Sequence, residues 1–414
     1  MQRTRPCFPK TSRSTGRAKH RDQLTILHFA FEDHRAPGSG GGGARTHEIN
    51  KRLASHHRVI TVTYRYPGAR RRVEDGVEYR HLGVSFGRFA HAIGIVSYHL
   101  LAPLYAFTHR ADLVVEDFAA PMSSLSLPRF TRHPTVAVVQ WLFASEVGKK
   151  YHLPLSLFER AGVLSHRHFI TVSEFLADRI KAGNPSAEVR VAHGGITLQT
   201  TEQQSSDRKD LLYLGRMQYH EKGLGLLLEA FSEIAQHDRE TKLLLAGTGP
   251  DMGLVAKKAL DLGISSRVHQ LGRIEGEEKT ALLREAALLV MPSRFESFGL
   301  VAAEALAEGL PVLAYDIPAM REVVRDDCGV LVEPFDVHAF ALACEQLLAD
   351  PQRRADLGEA GRKRSELFDW DRAARIHEEL YQLATRDNLD GALSSRGADL
   401  ARAASPAMTA SQGL

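Results

Sequence analysis

Leu288-Leu289-Val290-Met291-Pro292-Ser293-Arg294-Phe295-Glu296-Ser297-Phe298-Gly299-Leu300-Val301-Ala302-Ala303-Glu304-Ala305-Leu306 reads as one structural unit. The apolar run 288–291 is a short buried strand, and residues 298–308 form a helix. Between them, Ser297, Phe298, Gly299 and Leu300 fall at a helix N-terminus. Free backbone N–H groups and the positive end of the helix dipole make that position a seat for phosphate. Gly299 lets a ligand come close to the backbone. Glu296 and Glu304 are eight residues apart, about 12 Å if the whole stretch were helical. Two carboxylates that far apart cannot act on one bond, but they can meet opposite ends of an extended ligand. The plainer reading is a solvated loop Glu followed by an ordinary helix Glu. It is weakened at Glu304, whose neighbours Ala302, Ala303, Ala305 and Leu306 suggest a helix buried on most sides. A carboxylate there needs a partner.

Outward from this unit the same alternation continues. Strands are expected at 210–214, 241–246, 268–271, 288–291 and 311–314. Helices are expected at 223–236, 252–262, 277–286, 298–308, 337–348, 351–367 and 371–384. Upstream, the strand 24–29 is followed by the glycine-rich Pro37–Ala44 and a helix over 46–54, the opening of a doubly wound domain. Further strands are expected at 58–64, 113–116, 135–139, 168–172 and 189–192. Such alternation implies parallel sheets covered on both faces. The polar stretch TTEQQSSDRK at 200–209 is a linker. The expected division is a basic arm over 1–22, a first domain over 23–199, the linker, a second domain with terminal helices over 210–386, and a disordered tail over 387–414. Two doubly wound domains in tandem put their strand C-termini face to face, so a cleft between them is the expected active site.

The loop Gly215-Arg216-Met217-Gln218-Tyr219-His220-Glu221-Lys222-Gly223 follows a strand of the second domain and leads into a helix. One basic loop residue is usually surface decoration. Two of them, Arg216 and Lys222, facing the Glu296–Glu304 element, suit a diphosphate.

Composition narrows the rest. The 43% hydrophobic and 25% charged content is that of an ordinary globular protein, and a net charge of +3 over 414 residues gives no case for nucleic acid. Residues 1–21 carry seven Lys and Arg with no acid, a run that is more often a solvated arm than a phosphate- or membrane-touching tail. The three cysteines, Cys7, Cys328 and Cys344, form no CxxC pair, which fits a reducing cytoplasm. The N-terminus lacks an apolar signal region, so a cytoplasmic protein is expected. The charge-free segment 89–108 is broken by His91, Ser97, His99 and Pro103. It is read as a helix buried in the first domain, with contact to a membrane or greasy acceptor the less favoured alternative.

Taken in order and spacing, Gly215-Arg216, Glu221-Lys222-Gly223, the LLAGTGP of 244–250 and the Glu-x7-Glu element resemble the C-terminal half of glycosyltransferase family 4 over nearly all of 210–385. The first half resembles it more weakly, through the glycine run, ITVSEF at 170–175 and VAHGGI at 191–196. The resemblance implies the GT-B fold and transfer with retention from a nucleotide-diphosphate sugar to an acceptor hydroxyl. It implies that Arg216 and Lys222 neutralise the diphosphate and that Glu296 contacts the transferred sugar. Gly215, Ser297, Phe298, Gly299 and Leu300 would make backbone contacts to the donor, and Glu304 would hold the ribose. Gly41 and Gly42 would let the first domain approach both substrates. No cofactor and no metal are implied, since Arg and Lys supply the positive charge and the nucleotide sugar is a co-substrate. Members commonly place a His after the strand leading to the acceptor side. Here Gln140 and Trp141 stand there, the first able to hydrogen-bond a hydroxyl, the second to stack on an acceptor or simply to pack.

Asp369-Trp370-Asp371 has the DxD spacing of metal-dependent transferases, but Asp371 is more naturally a first-turn helix residue. The histidines are scattered without ligand spacing. A sugar-nucleotide epimerase, a phosphorylase of this fold or a silent sugar-nucleotide-binding chain are the competing readings. The intact Arg216, Lys222, Glu296, Glu304 set argues against the last. Nothing in the sequence selects the sugar, the base or the acceptor, and a small metabolite, natural-product or glycan acceptor is expected.

Overall fold

Two sheets carry the chain. A computed structural model describes residues 23–87, 89–118, 127–142, 144, 155–196 and 208–403. The basic arm, most of the linker and Cys7 lie outside these residues. The first sheet contains β1 (Thr25–Phe29), β2 (Arg58–Tyr64), β3 (Arg72–Glu74), β4 (Val77–Leu82), β5 (Leu113–Phe118), β6 (Thr135–Val139), β7 (His168–Thr171) and β8 (Glu188–Val191). Their spatial order is β3-β4-β2-β1-β5-β6-β7-β8, parallel except for the β3–β4 pair. The second sheet contains β9 (Leu211–Leu214), β10 (Leu243–Ala246), β11 (Val268–Gly272), β12 (Leu288–Met291), β13 (Val312–Tyr315) and β14 (Gly329–Val332). It is all parallel, in the order β11-β10-β9-β12-β13-β14. Strands β5, β6, β7, β9, β12 and β13 are buried almost throughout, as strands covered on both faces must be.

The covering helices of the first half are α1 (Gly41–Leu53), α2 (Ala90–Thr108), α3 (Leu127–Phe130), α4 (Leu155–Ser165) and α5 (Glu174–Gly183). In the second half they are α6 (Leu224–His237), α7 (Met252–Asp261), α8 (Gly276–Glu285), α9 (Leu300–Ala307), α10 (Pro318–Val323), α11 (Val337–Ala349) and α12 (Pro351–Ser365). The last helix, α13, runs Trp370–Ala403. Cys328 and Cys344 are buried free thiols.

Four features depart from the sequence expectations. The glycine run is the first turn of α1, not a loop before a helix at Thr46. Gly40 N donates to Glu32 Oε2 at 3.0 Å, and a side chain on Gly43 would meet Ser39 Oγ at 2.5 Å, so close packing offsets glycine's low helix propensity. A hairpin, β3–β4, turns at Asp75 (φ 48°) and Gly76 (φ 80°), and β14 adds an edge to the second sheet. The segment 89–108 is a helix, but it is not buried: only Gly94, Tyr98, Ala102 and Ala106 are. Four small or tethered residues on one face suffice to dock it, which leaves the opposite apolar face in solvent. Finally, α13 continues through Asp387 to Ala403, where a disordered tail was expected. By chain order α13 follows the second domain. Its buried Trp370, Leu380 and Tyr381 instead join Ile26, Val59 and Leu113 of the first.

Candidate functional site

In each sheet the strand order reverses direction at one place: between β1 and β5 in the first, and between β9 and β12 in the second. Loops at such a switch point splay apart and leave a crevice at the strand C-termini. The loops after β9 and β12 are those carrying Arg216, Lys222 and Glu296, and the loop after β1 leads to the glycine run. Topology therefore brings together the residues singled out by motif.

The two loops of the second domain are tied through backbone, Arg294 N donating to Glu221 O at 3.0 Å. Gly223 caps α6 and Gly299 caps α9, both left-handed, with φ of 63° and 92°. Across this junction Lys222 Nζ meets Glu296 Oε1 at 2.5 Å, both side chains largely covered. Arg216 is exposed, and among the described residues it has no carboxylate within ion-pair distance. Gly215 precedes it at the strand end, and Tyr213 Oη donates to Arg216 O at 2.8 Å. Burial, with Glu296 adding to it, pushes the Tyr213 hydroxyl well above its usual range while Arg216 acts in the opposite sense. Glu304, half-buried on α9, has the partner its helix demanded: Lys279 Nζ of α8, at 2.8 Å.

Phe298 is 5% exposed and serves as packing between the halves. Its ring lies 5.5 Å from that of His193 and edge-on to Phe368 at 5.3 Å. Ser297 is half-buried beside it. The start of α9 faces the first domain directly. Leu300 carbons lie 3.5 Å from where a Cβ on Gly41 would stand and 3.2 Å from one on Gly194.

On the first-domain side, Gln140 Nε2 donates to Thr46 Oγ1 at 3.2 Å and Asp117 Oδ1 at 3.3 Å. An ionised carboxylate only accepts, so the amide NH2 must face Asp117. This leaves Gln140 Oε1 turned to Gly42, 3.3 Å from where its Cβ would be. Asp117 is buried, and burial raises its pKa. His28 at 3.2 Å, the Phe31 N–H and Arg45 outweigh that and hold it below the usual carboxylate value. Its oxygens are fully used, which makes it a positioning group for Gln140 and Thr46. Trp141 packs on Ala144 and Leu155.

Sequence reasoning did not find Asp117, nor a tie between the halves. Glu322 of α10 accepts from the N–H groups of Glu174 and Phe175 at the start of α5, at 2.7 and 2.8 Å. His193 Nε2 completes the set at 3.3 Å. The signal for Asp117 was present: an acid pair inside the apolar run LVVEDF. Glu322 carried none, since its partners are more than a hundred residues away.

Asp369 caps α13, accepting from Asp371 N and Arg372 N, and Asp371 pairs with Arg52. His34, His47 and Glu74 bring possible metal-donor atoms within 4.8 Å of one another. They are already engaged: Glu74 by Arg35 and Arg72, His47 by Tyr79 and Asp75, and His34 by Glu74.

Comparison with known proteins adds family and fold. Residues 197–364 match the family model described as glycosyl transferases group 1, and residues 39–200 match glycosyltransferase family 4. The glycogen synthase of Mycobacterium tuberculosis is 31% identical over 225 residues, covering 52% of this chain and 54% of that protein. A D-inositol 3-phosphate glycosyltransferase of Xylanimonas cellulosilytica is 37% identical over 181 residues, 42% of each chain. The chain thus spans about half the length of the curated relatives it matches, or less. Among solved structures, sucrose-phosphate synthase from Thermosynechococcus elongatus shares the fold with a TM-score of 0.75 at 21% identity, over 86% of this chain and 98% of that one.

Proposed function

The chain belongs to the family-4 glycosyltransferases, with the GT-B fold, and from that premise we propose that it moves a hexose-type sugar from a nucleotide-diphosphate donor to an acceptor hydroxyl, with retention. The observation that carries the reading is the Lys222–Glu296 pair at the second switch point, beside the open Arg216 and opposite Gly41. The donor diphosphate lies over the start of α9, where backbone N–H groups and the two cations meet it. Glu296 turns to hydroxyls of the sugar as Lys222 turns to phosphate, and Glu304 holds the ribose. The acceptor enters on the first-domain side of the cleft, beside the Gly42–Gln140 contact.

Transfer proceeds on one face. The bond from the anomeric carbon to the diphosphate oxygen breaks, the acceptor oxygen bonds that carbon from the same side, and its proton passes to the departing phosphate. Charge accumulates on the leaving group, so Arg216 and Lys222 stabilise the transition state, and this chemistry asks for no metal or other cofactor. The remaining work is alignment of two substrates across the cleft.

Thermal stability with a panel of nucleoside diphosphates and their sugars tests this. A ligand binding only the folded state at about 100 times its dissociation constant adds about 2.7 kcal/mol. One nucleotide should raise the midpoint, and Lys222→Ala or Glu304→Ala should abolish the rise. If folded protein responds to none of them at millimolar concentration, the donor site is misread and a silent scaffold is the better description.

A further inference from the structure

The outward face of α2 is an apolar surface that the proposed donor site does not use. Phe89, Val96, Leu100, Leu104 and Phe107 are 65, 49, 75, 60 and 63% exposed. At 100° per residue they fall in one stripe, opposite the buried Gly94, Tyr98, Ala102 and Ala106. Phe130 of α3, 52% exposed, extends the stripe across a groove shared with Leu104 and Phe107. Arg129 and Arg132 line the same groove, and Arg110 follows the helix. Contiguous apolar surface of this extent marks an interaction site.

The charge pattern selects the occupant. No Asp or Glu occurs in residues 79–111 or 118–145, so α2, α3 and the arginines flanking them bring positive charge and no carboxylate of their own to this face. A second copy docked through the same face would set arginine against arginine with no acid to pair them. An anionic lipid surface satisfies both parts, taking the apolar stripe below its headgroups and the arginines at its phosphates. The helix cannot cross a bilayer. Tyr98 Oη donates to Ala30 O and Val62 O at 3.2 and 3.3 Å, and a side chain on Gly94 would collide with Arg65 O at 2.4 Å. It is fixed along the first sheet and can only lie in the membrane plane.

We propose that the α2–α3 face docks this protein on anionic membranes, as a peripheral contact of the acceptor-side domain. The contact is independent of the donor site, so its test uses no nucleotide. Full-length protein is sedimented with vesicles of phosphatidylglycerol and phosphatidylcholine in equal parts, and with pure phosphatidylcholine. Binding is expected to the mixed vesicles and much less to the neutral ones. The triple variant Leu100→Glu, Leu104→Glu, Phe107→Glu changes only exposed positions and should lower the partition by more than about tenfold. Its circular dichroism and melting temperature should be unchanged. Arg129→Gln with Arg132→Gln should weaken binding about fivefold per residue and erase the preference for anionic lipid. Three results would overturn the proposal. One is that wild type binds neither vesicle. Another is that the triple variant binds as well as wild type, which assigns binding to the basic residues 1–21 retained in both. The third is that wild type is a dimer without affinity for vesicles and the triple variant a monomer, which makes the face a self-interface.

Discussion

Gly223 and Gly299 both hold left-handed backbone at the site, but they differ in what surrounds them. A Cβ on Gly223 would stand 1.9 Å from Pro292 O, a backbone atom in the neighbouring loop. On Gly299 it would meet the tip of Met320, which can swing away. Gly223→Ala should therefore cost about 2–4 kcal/mol, Gly299→Ala less, from conformational strain with and without an immovable clash. Gly253, in α7 with nothing within 4 Å, is the control: alanine there should stabilise by about 0.5–1 kcal/mol. Urea unfolding of the three variants measures this, and equal effects at Gly223 and Gly253 would contradict the geometry. At this scale the sequence was most legible where residue type and spacing spoke together, as at Glu296, Lys222 and Glu304. It was silent on what those groups do in the free protein. That Lys222 neutralises Glu296, and Lys279 Glu304, depends on the fold bringing together residues 74 and 25 positions apart, the first pair in two loops and the second on α8 and α9.

Element by element, the parallel strands were readable because burial on both faces writes them as unbroken apolar runs. The β3–β4 hairpin was missed, although Glu74-Asp75-Gly76-Val77 carries a two-residue turn signal; its short strands are half polar and look like loop. Segment 89–108 was readable as a helix but not as an exposed one, because apolar composition predicts burial and cannot say that nothing covers a face. The α10–α5 junction was not readable at all. There Glu322 occupies the positive end of α5 and accepts from Glu174 N, Phe175 N and His193. Burial raises its pKa, but these donors outweigh it and hold the carboxyl below its usual value. A depressed carboxyl pKa stabilises the folded state fully above the unfolded value, about 4.3, and the contribution is lost as pH falls through the folded value. Glu322→Gln, which puts an amide NH2 against an N–H donor, should lose about 1.5–3 kcal/mol at neutral pH. The gap from wild type should hold down to about pH 5 and narrow below about pH 4. Melting temperatures of both proteins from acid to neutral pH decide it, and a gap independent of pH would mean the contact is steric.

Across the whole molecule the chain passes between its halves twice. The returning crossing lies against the last described residue of the outgoing side: Ile196 bridges Asp369 in parallel, and Ile196 N donates to Phe368 O at 2.7 Å. The two crossings run side by side here, with His193 and Phe298 packed next to them. Beyond it α13 seals the first domain. Arg45 Nη2 donates to Ala192 O at 3.0 Å and to His377 Nε2 at 3.1 Å, and burial with Arg45 nearby keeps His377 uncharged. Its Nδ1–H then donates to Tyr381 Oη at 3.0 Å. Tyr381 is fully buried against the first sheet's core. Tyr381→Ala should cost about 3 kcal/mol or more through the cavity and the lost partner of His377. That loss should fall on the first domain, while the donor loops of the second keep their nucleotide response. Removing residues 389–414, which follow Ala384, the last α13 side chain buried among the described ones, should leave the melting temperature nearly unchanged. Calorimetry with and without the best nucleoside diphosphate separates the cases. Loss of the ligand-induced shift in Tyr381→Ala would mean that the domains unfold as one unit and that α13 supports both.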